Sequence, residues 1–464
     1  MAERGVWRGR GLAWRIGVAV VAVLLLVAGL IAAALATDVG DDMRDAVVEA
    51  DEPTVPEPSP GLVPAGGAAP LDPAALARRL EPLATTPAVG DLTGRVVDDE
   101  TGQVLWERRP DAPRVPASTA KLLTAVAALS RLPSDKRVDT VLAEGTEPGT
   151  LVVVPGGDPT MSAGAESGPL FPGSATLTEA ADVVRHGGLH PERIVVDPGP
   201  YTGPDMGLGW SPVEIAAGNL APVQPWMLDA GRIDPAEVYS PRHAEPALAA
   251  GRALANELGV DPARVALSGD PVATAHELGR VHSAPLIDRL RSMLEHSDNV
   301  LAEAICREVA LDREPDRKAD FAGGTRAVVD TLADSGVDMS DVRLADCSGM
   351  SSESRISATV LTDVLRLAAA PDASREMRDL LDALPVAGAT GTLSGRYEGP
   401  SEPGAGWVRA KTGTLTGTSA LAGTVTDAGG RSMSFALLAR GTSPADARPV
   451  LDRIASELRV CDCS

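Results

Sequence analysis

Ile16 to Ala36 is an uninterrupted run of 21 residues without a charge. As a helix rising about 1.5 Å per residue it spans roughly 30 Å, the hydrocarbon thickness of a bilayer. Arg4, Arg8, Arg10 and Arg15 precede the run, and Asp38, Asp41 and Asp42 follow it. This asymmetry predicts a membrane anchor (residues 1–37) with a cytoplasmic N-terminus and the rest of the chain outside. The competing reading is a signal peptide cleaved after Ala34-Leu35-Ala36. Either reading exports the protein. Residues 38–70 have no periodicity and are dense in Pro, Ala, Gly and acid, so they predict a disordered linker.

From Leu71 the pattern is that of a packed domain. Residues 73–80 have helical spacing, with Asp72 as the N-cap. Residues 94–98 and 103–107 alternate as strands around Asp99-Glu100-Thr101-Gly102 and predict a hairpin. Residues 119–129 are apolar on nearly every side, which predicts a buried helix. Between 138 and 264 Gly and Pro become dense and short β-like runs (150–154, 193–197) replace long periods. That stretch predicts an inserted β-rich domain. Amphipathic helices return at about 244–258 and 283–310. Three strands follow, at 407–411, 419–425 and 431–438, and a helix from Pro444 to Arg459 closes the chain. The expected fold is α/β mixed, an antiparallel sheet flanked by helices. Its main domain comprises 71–137 and 265–464, with the insertion at 138–264.

Charge excludes some functions. Acidic residues number 64 against 42 basic in 464, a net charge of -22. A nucleic-acid-binding protein would present a basic face. Four cysteines, Cys306, Cys347, Cys461 and Cys463, in an exported chain permit disulfides with three connectivities. Sequence does not choose among them; we favour Cys306–Cys347, with Cys461 and Cys463 near each other. The six histidines are scattered without ligand spacing, and there is neither C-x-x-C nor H-E-x-x-H, so neither a metal nor another cofactor is expected.

Only four of the 42 basic residues are Lys, and only three residues are Asn. Two of those Lys and one of those Asn fall in chemically suggestive places. In Ser118-Thr119-Ala120-Lys121 a hydroxyl and an ammonium three residues apart share a helix face. A serine needs a base to become a nucleophile, and a lysine serves once burial disfavours its charge. Ser297-Asp298-Asn299 offers a hydroxyl and an amide to one cleft, although alone it reads as a helix cap. Lys411-Thr412-Gly413-Thr414 ends an apolar strand. Its Lys and two Thr suit a carboxylate, and its Gly leaves a face for a substrate backbone.

Each motif occurs once, in the order S-x-x-K, S-D-N, K-T-G, a combination known in penicillin-binding proteins and class A β-lactamases. The chain resembles the class C low-molecular-mass penicillin-binding proteins, the D-alanyl-D-alanine carboxypeptidase/endopeptidases, over about 71–460. The resemblance also takes in 156–161 (GGDPTM), 283–286 (SAPL), 346–351 (DCSGMS) and 391–393 (GTL). It implies a penicillin-binding transpeptidase-like fold and a serine-type D-Ala-D-Ala carboxypeptidase, also a DD-endopeptidase, on peptidoglycan stem peptides in the cell envelope. β-Lactams would be its covalent inhibitors. It implies Ser118 as nucleophile, Lys121 as base and Ser297 as proton carrier. Asn299 would bind the substrate amide, and Lys411, Thr412, Gly413 and Thr414 its carboxylate end. Cys347 and Met350 depart from the family's usual 346–351 stretch, and the first favours a disulfide. Rival readings are a non-catalytic wall-binding module on the same fold and a β-lactamase. A Ser-His-Asp hydrolase lacks its G-x-S-x-G elbow.

Overall fold

The computed structural model describes residues 71–164, 170–461 and 463. The expected anchor and linker lie outside these residues. Among the described residues no helix is long and apolar enough to cross a membrane.

Helix α1 (Pro73–Ala84) starts as the pattern predicts, with the Asp72 carboxylate accepting from the Ala74 N–H at 2.9 Å. Strands β1 (Asp91–Asp98) and β2 (Val104–Arg108) form the hairpin. Helix α2 (Lys121–Arg131) buries every residue from Lys121 to Leu129, which is why no polar stripe marks it in sequence. Strands β3 (Asp139–Gly145), β4 (Thr150–Pro155) and β5 (Asp158–Met161) follow, then helix α3 (Leu177–His186) and strands β6 (Arg193–Val196) and β7 (Trp226–Leu228). Helix α4 (Pro246–Leu258) leads into β8 (Val265–Leu267) and β9 (Thr274–His282). Helices α5 (Leu286–Glu295), α6 (Asn299–Arg313), α7 (Phe321–Asp334), α8 (Ala358–Ala369) and α9 (Arg375–Asp382) come next. The chain ends with β10 (Val408–Leu415), β11 (Thr418–Thr426), β12 (Ser432–Arg440) and α10 (Pro444–Val460).

The main sheet has the order β10-β11-β12-β1-β2 and is antiparallel throughout. Both faces are covered. Ala420, Ala422, Ala436 and Leu438 face the helical core around α2. The alternate residues Leu421, Val425, Phe435 and Leu437 join the core beneath α1 and α10. Burial on both sides explains why these strands read as near-continuous apolar runs.

A second sheet, β8-β6-β4-β3-β9, mixes parallel and antiparallel pairs. It packs on α3 and α4 through Val184, Ile194, Leu254 and the fully buried Trp226. The sheet runs beyond residue 264, where the Gly- and Pro-dense texture ends, because β9 pairs with β3. That edge strand is exposed along most of its length and carries no apolar alternation to announce it.

The expected helix over 283–310 is two helices. The break at His296-Ser297-Asp298 has Ser297 at φ +56°, and Asp298 caps α6 by accepting from the Leu301 N–H at 2.9 Å. Of the connectivities open to four cysteines, the structure has Cys306–Cys347 and Cys461–Cys463.

Candidate active site

Ser118 sits in a tight turn, Ala117–Ala120, that feeds into α2. Ala117 adopts φ +48°, and the turn rests on Gly349, where a Cβ would lie 1.9 Å from the Ala117 carbonyl oxygen. One turn of chain later the Lys121 side chain is fully buried. Its Nζ donates to Ser118 Oγ at 3.1 Å, Asn299 Oδ1 at 2.6 Å and the Ser348 carbonyl at 2.7 Å. Burial lowers its pKa to about 8, against Asp346, Asp298 and Glu303, which favour the charged form.

The helix break delivers Ser297 and Asn299 to the same place. Asn299 is the first residue of α6, and its amide is fixed at both ends. Nδ2 donates to the Asn219 carbonyl at 2.7 Å while Oδ1 accepts from Lys121. Between them, Asp298 is wholly buried against Arg232, which donates at 2.8 Å, and Arg242 at 3.7 Å. Burial alone would raise its pKa; the two guanidiniums and the α6 cap outweigh it and hold the carboxyl at about 2.

Lys411 to Thr414 lie on β10, the edge strand. Lys411 is buried, and burial first, then the Lys121 ammonium and Arg396, push its pKa well below the usual value. The outer edge of β10 is partly covered, since the Ala410 N–H donates to the Pro385 carbonyl at 3.0 Å. By the two-residue repeat of a strand, the N–H groups of Thr412 and Thr414 point outward too, past the end of that cover. Thr412 Oγ1 donates to Thr392 Oγ1 at 2.9 Å, and Arg448 of α10 donates to Thr414 Oγ1 at 3.0 Å.

Gly413 differs from expectation. It does not leave a face open to a ligand: a Cβ there would lie 2.7 Å from the Pro116 carbonyl oxygen and 3.2 Å from the Ala117 Cβ. The missing side chain lets β10 pack against the nucleophile turn. Ser118, Ser297, Asn299, Thr412 and Thr414 line one cleft of about 1040 Å³, with Lys121 and Lys411 buried beneath its wall.

Several residues that sequence does not single out complete the centre. Buried Glu303 accepts from the backbone N–H groups of Cys347 and Ser348 at 2.9 and 2.8 Å. Burial, then Asp346, raises its pKa to about 7. Asp346 accepts from the Gly349 and Ser351 N–H groups and from the Trp210 indole at 2.7 Å. Trp210 is therefore a structural support and Trp226 a core residue, so neither is free to stack on a ligand. The stretch 346–351 is the available signal for Asp346. Arg232 and Arg242 carry none, in a chain with so many arginines. The cluster of Glu303, Cys306 and Cys347 has metal-ligand geometry, but both sulfurs are bonded to each other.

A family model described as D-Ala-D-Ala carboxypeptidase 3 (S13) matches residues 76–243 and 237–459. The carboxypeptidase DacB of Mycolicibacterium smegmatis is 43% identical, over 97% of each chain. A carboxypeptidase of Mycobacterium tuberculosis is 42% identical, over 89% of this chain and 90% of its own. The crystal structure of penicillin binding protein 4 (dacB) from Haemophilus influenzae has the same fold, with a TM-score of 0.68 at 23% identity. That alignment covers 84% of this chain and 98% of the other. Matched along nearly all of its described length, the chain belongs to the D-Ala-D-Ala carboxypeptidase 3 (S13) family of serine peptidases.

Proposed function

We propose that this protein is a serine-type D-Ala-D-Ala carboxypeptidase that trims peptidoglycan stem peptides through an acyl-enzyme on Ser118. The observation that carries this is the buried Lys121 Nζ, 3.1 Å from Ser118 Oγ and poised near neutrality. Neutral Lys121 takes the Ser118 proton as Oγ attacks the carbonyl between the two D-alanines. The C–N bond breaks, and Ser297 relays a proton to the departing amine. Water then cleaves the ester and returns the serine.

The substrate's last residues extend along the uncovered edge of β10 as an added strand. Asn299 holds the preceding amide. Thr412 and Thr414, with Lys411 behind them, receive the terminal carboxylate. The N–H groups of Ser118 and Thr414 form the oxyanion hole, each donor worth about 3–4 kcal/mol. The cleft, about 1040 Å³, leaves room beyond a single alanine. Cleavage of cross-links at the same serine, DD-endopeptidase activity, is the second reading.

The Ile16–Ala36 run supports an extracytoplasmic location on a membrane anchor, where the substrate lies. β-Lactams acylate the same serine; the Haemophilus influenzae protein has been solved with one.

The test is intact and peptide mass after incubation of residues 38–464 with penicillin. A stable adduct on Ser118, lost in Ser118→Ala, is expected. No adduct and no penicillin loss from folded protein would favour a binding module. Rapid penicillin loss without an adduct would favour a β-lactamase.

A further inference from the structure

Lys121 has three acceptors, and two of them are held from behind by the chain between 201 and 242. The first is Asn299 Oδ1, which faces Lys121 because Asn299 Nδ2 is tied to the Asn219 carbonyl. The turn carrying that carbonyl has Gly218 at φ +79°, where a Cβ would lie 2.3 Å from the Tyr239 carbonyl oxygen. Arg242 grips it, with Nε and Nη2 donating to the Gly218 carbonyl at 3.2 and 3.1 Å. The same guanidinium donates to the Ala230 carbonyl at 2.6 Å and reaches Asp298 at 3.7 Å. The second acceptor is the Ser348 carbonyl. Its loop is held by Asp346, whose carboxylate the Trp210 indole N–H fixes at 2.7 Å.

We infer that residues 201–242 are the positioning frame of the general base, with Arg242 as its central positioning residue, acting through Gly218 and Asp298. This inference rests on Lys121 being that base.

The frame also sets the field on Lys121. Glu303 faces it from α6, Asp298 from the cap of that helix, Asp346 from a later loop, and Lys411 from β10. Each acid is partly masked: Asp298 by Arg232 and Arg242, Glu303 by Arg307, Asp346 by the Trp210 N–H. Removing the Arg242 charge exposes Asp298 and favours the Lys121 ammonium. Removing the Asp298 charge does the reverse.

The experiment is the rate of acylation by a chromogenic cephalosporin across about pH 6 to 10 for wild type, Arg242→Gln and Asp298→Asn. Wild type should gain rate as pH rises through about 8. Arg242→Gln should move that midpoint upward. A midpoint higher by about one pH unit slows acylation about tenfold at pH 7, and the loss disappears at high pH. Asp298→Asn should move the midpoint downward. Opposite displacements are not produced by loosened packing.

A folded Arg242→Gln whose midpoint coincides with wild type overturns the inference, even if its rate is lower. If that variant does not fold, Asp298→Asn decides, and a midpoint unmoved or raised overturns it. A flat wild-type profile, with normal acylation by Lys121→Met, would instead remove the base itself.

Discussion

The Cys306–Cys347 disulfide joins the middle of α6 to the loop whose next residue, Ser348, presents its carbonyl to Lys121. Replacing both cysteines by Ala tests what that link contributes. The bridge closes a loop over a sequence separation of 41 residues. Loop-closure entropy for that length is about 4 kcal/mol at 25 °C. Ala at both sites avoids burying a hydroxyl and adds a small cavity cost, since both sulfurs are fully buried and Gly324 of α7 leaves the space that Cys306 Sγ fills. For a folded region of roughly 390 residues, with about 2.1 cal/mol/K of unfolding entropy per residue, 4 kcal/mol corresponds to a Tm lower by roughly 5 °C. The loop retains other ties. Glu303 still accepts from the backbone N–H groups of residues 347 and 348, and Thr124 Oγ1 still donates to the residue 347 carbonyl at 2.7 Å. Acylation by penicillin at 25 °C should therefore fall by less than about tenfold, within the roughly 1.4 kcal/mol that one such tie represents. Calorimetry and acylation kinetics on the same double variant measure both numbers. A Tm within about 1 °C of wild type would refute the entropic reasoning. Complete loss of acylation in a folded variant would refute the claim that the polar ties hold the loop.

Three further outcomes follow from the geometry. Lys121→Met should lose acylation by at least about a thousandfold while keeping the native circular dichroism, because the base is removed and the replacement fills the same buried channel; near-normal acylation would contradict that role. Gly349→Ala should cost more than about 3 kcal/mol in unfolding free energy, combining a left-handed backbone with a Cβ 1.9 Å from the Ala117 carbonyl, and urea titration reads it directly. Arg448→Met should raise KM about tenfold for substrates with a free terminal carboxylate but not for their C-terminal amides, because Arg448 touches Thr414 and has no acidic partner within 4.0 Å among the described residues.

The parts of this structure legible in sequence are those with a local cause. The hairpin at 91–108 declares itself by alternation and a Gly turn, α1 by its Asp72 cap, and the three motifs by rare residue types in a fixed order. Features whose cause is distant are not legible. The break before α6 has a local sign only in the cap signal at Ser297-Asp298-Asn299; the left-handed Ser297 and the pairing of Asp298 with Arg232 from across the fold have none. Strand β9 joins its sheet through long-range pairing with β3, with little buried surface to imprint a pattern. Local grounds assign Gly413 to ligand access, whereas its reason is the approach of Pro116 and Ala117 from the distant N-terminal part of the domain.

That last case bears on how the catalytic centre stays assembled. Lys121 and Lys411 are both fully buried, and two adjacent buried ammoniums would repel. The acids that face Lys121 are themselves tied down: Asp298 by two guanidiniums, Glu303 by two backbone amides and Arg307, Asp346 by two backbone amides and an indole. These fixed acids favour the Lys121 ammonium, yet burial outweighs them and leaves its pKa at about 8, whereas burial, Lys121 and Arg396 all lower that of Lys411. Carboxylates free to move would close on Nζ and raise its pKa toward the ordinary value, removing the base at neutral pH. The rigidity of this polar core is therefore a catalytic property, because it holds the Lys121 pKa at about 8, low enough to leave a neutral fraction beside Ser118.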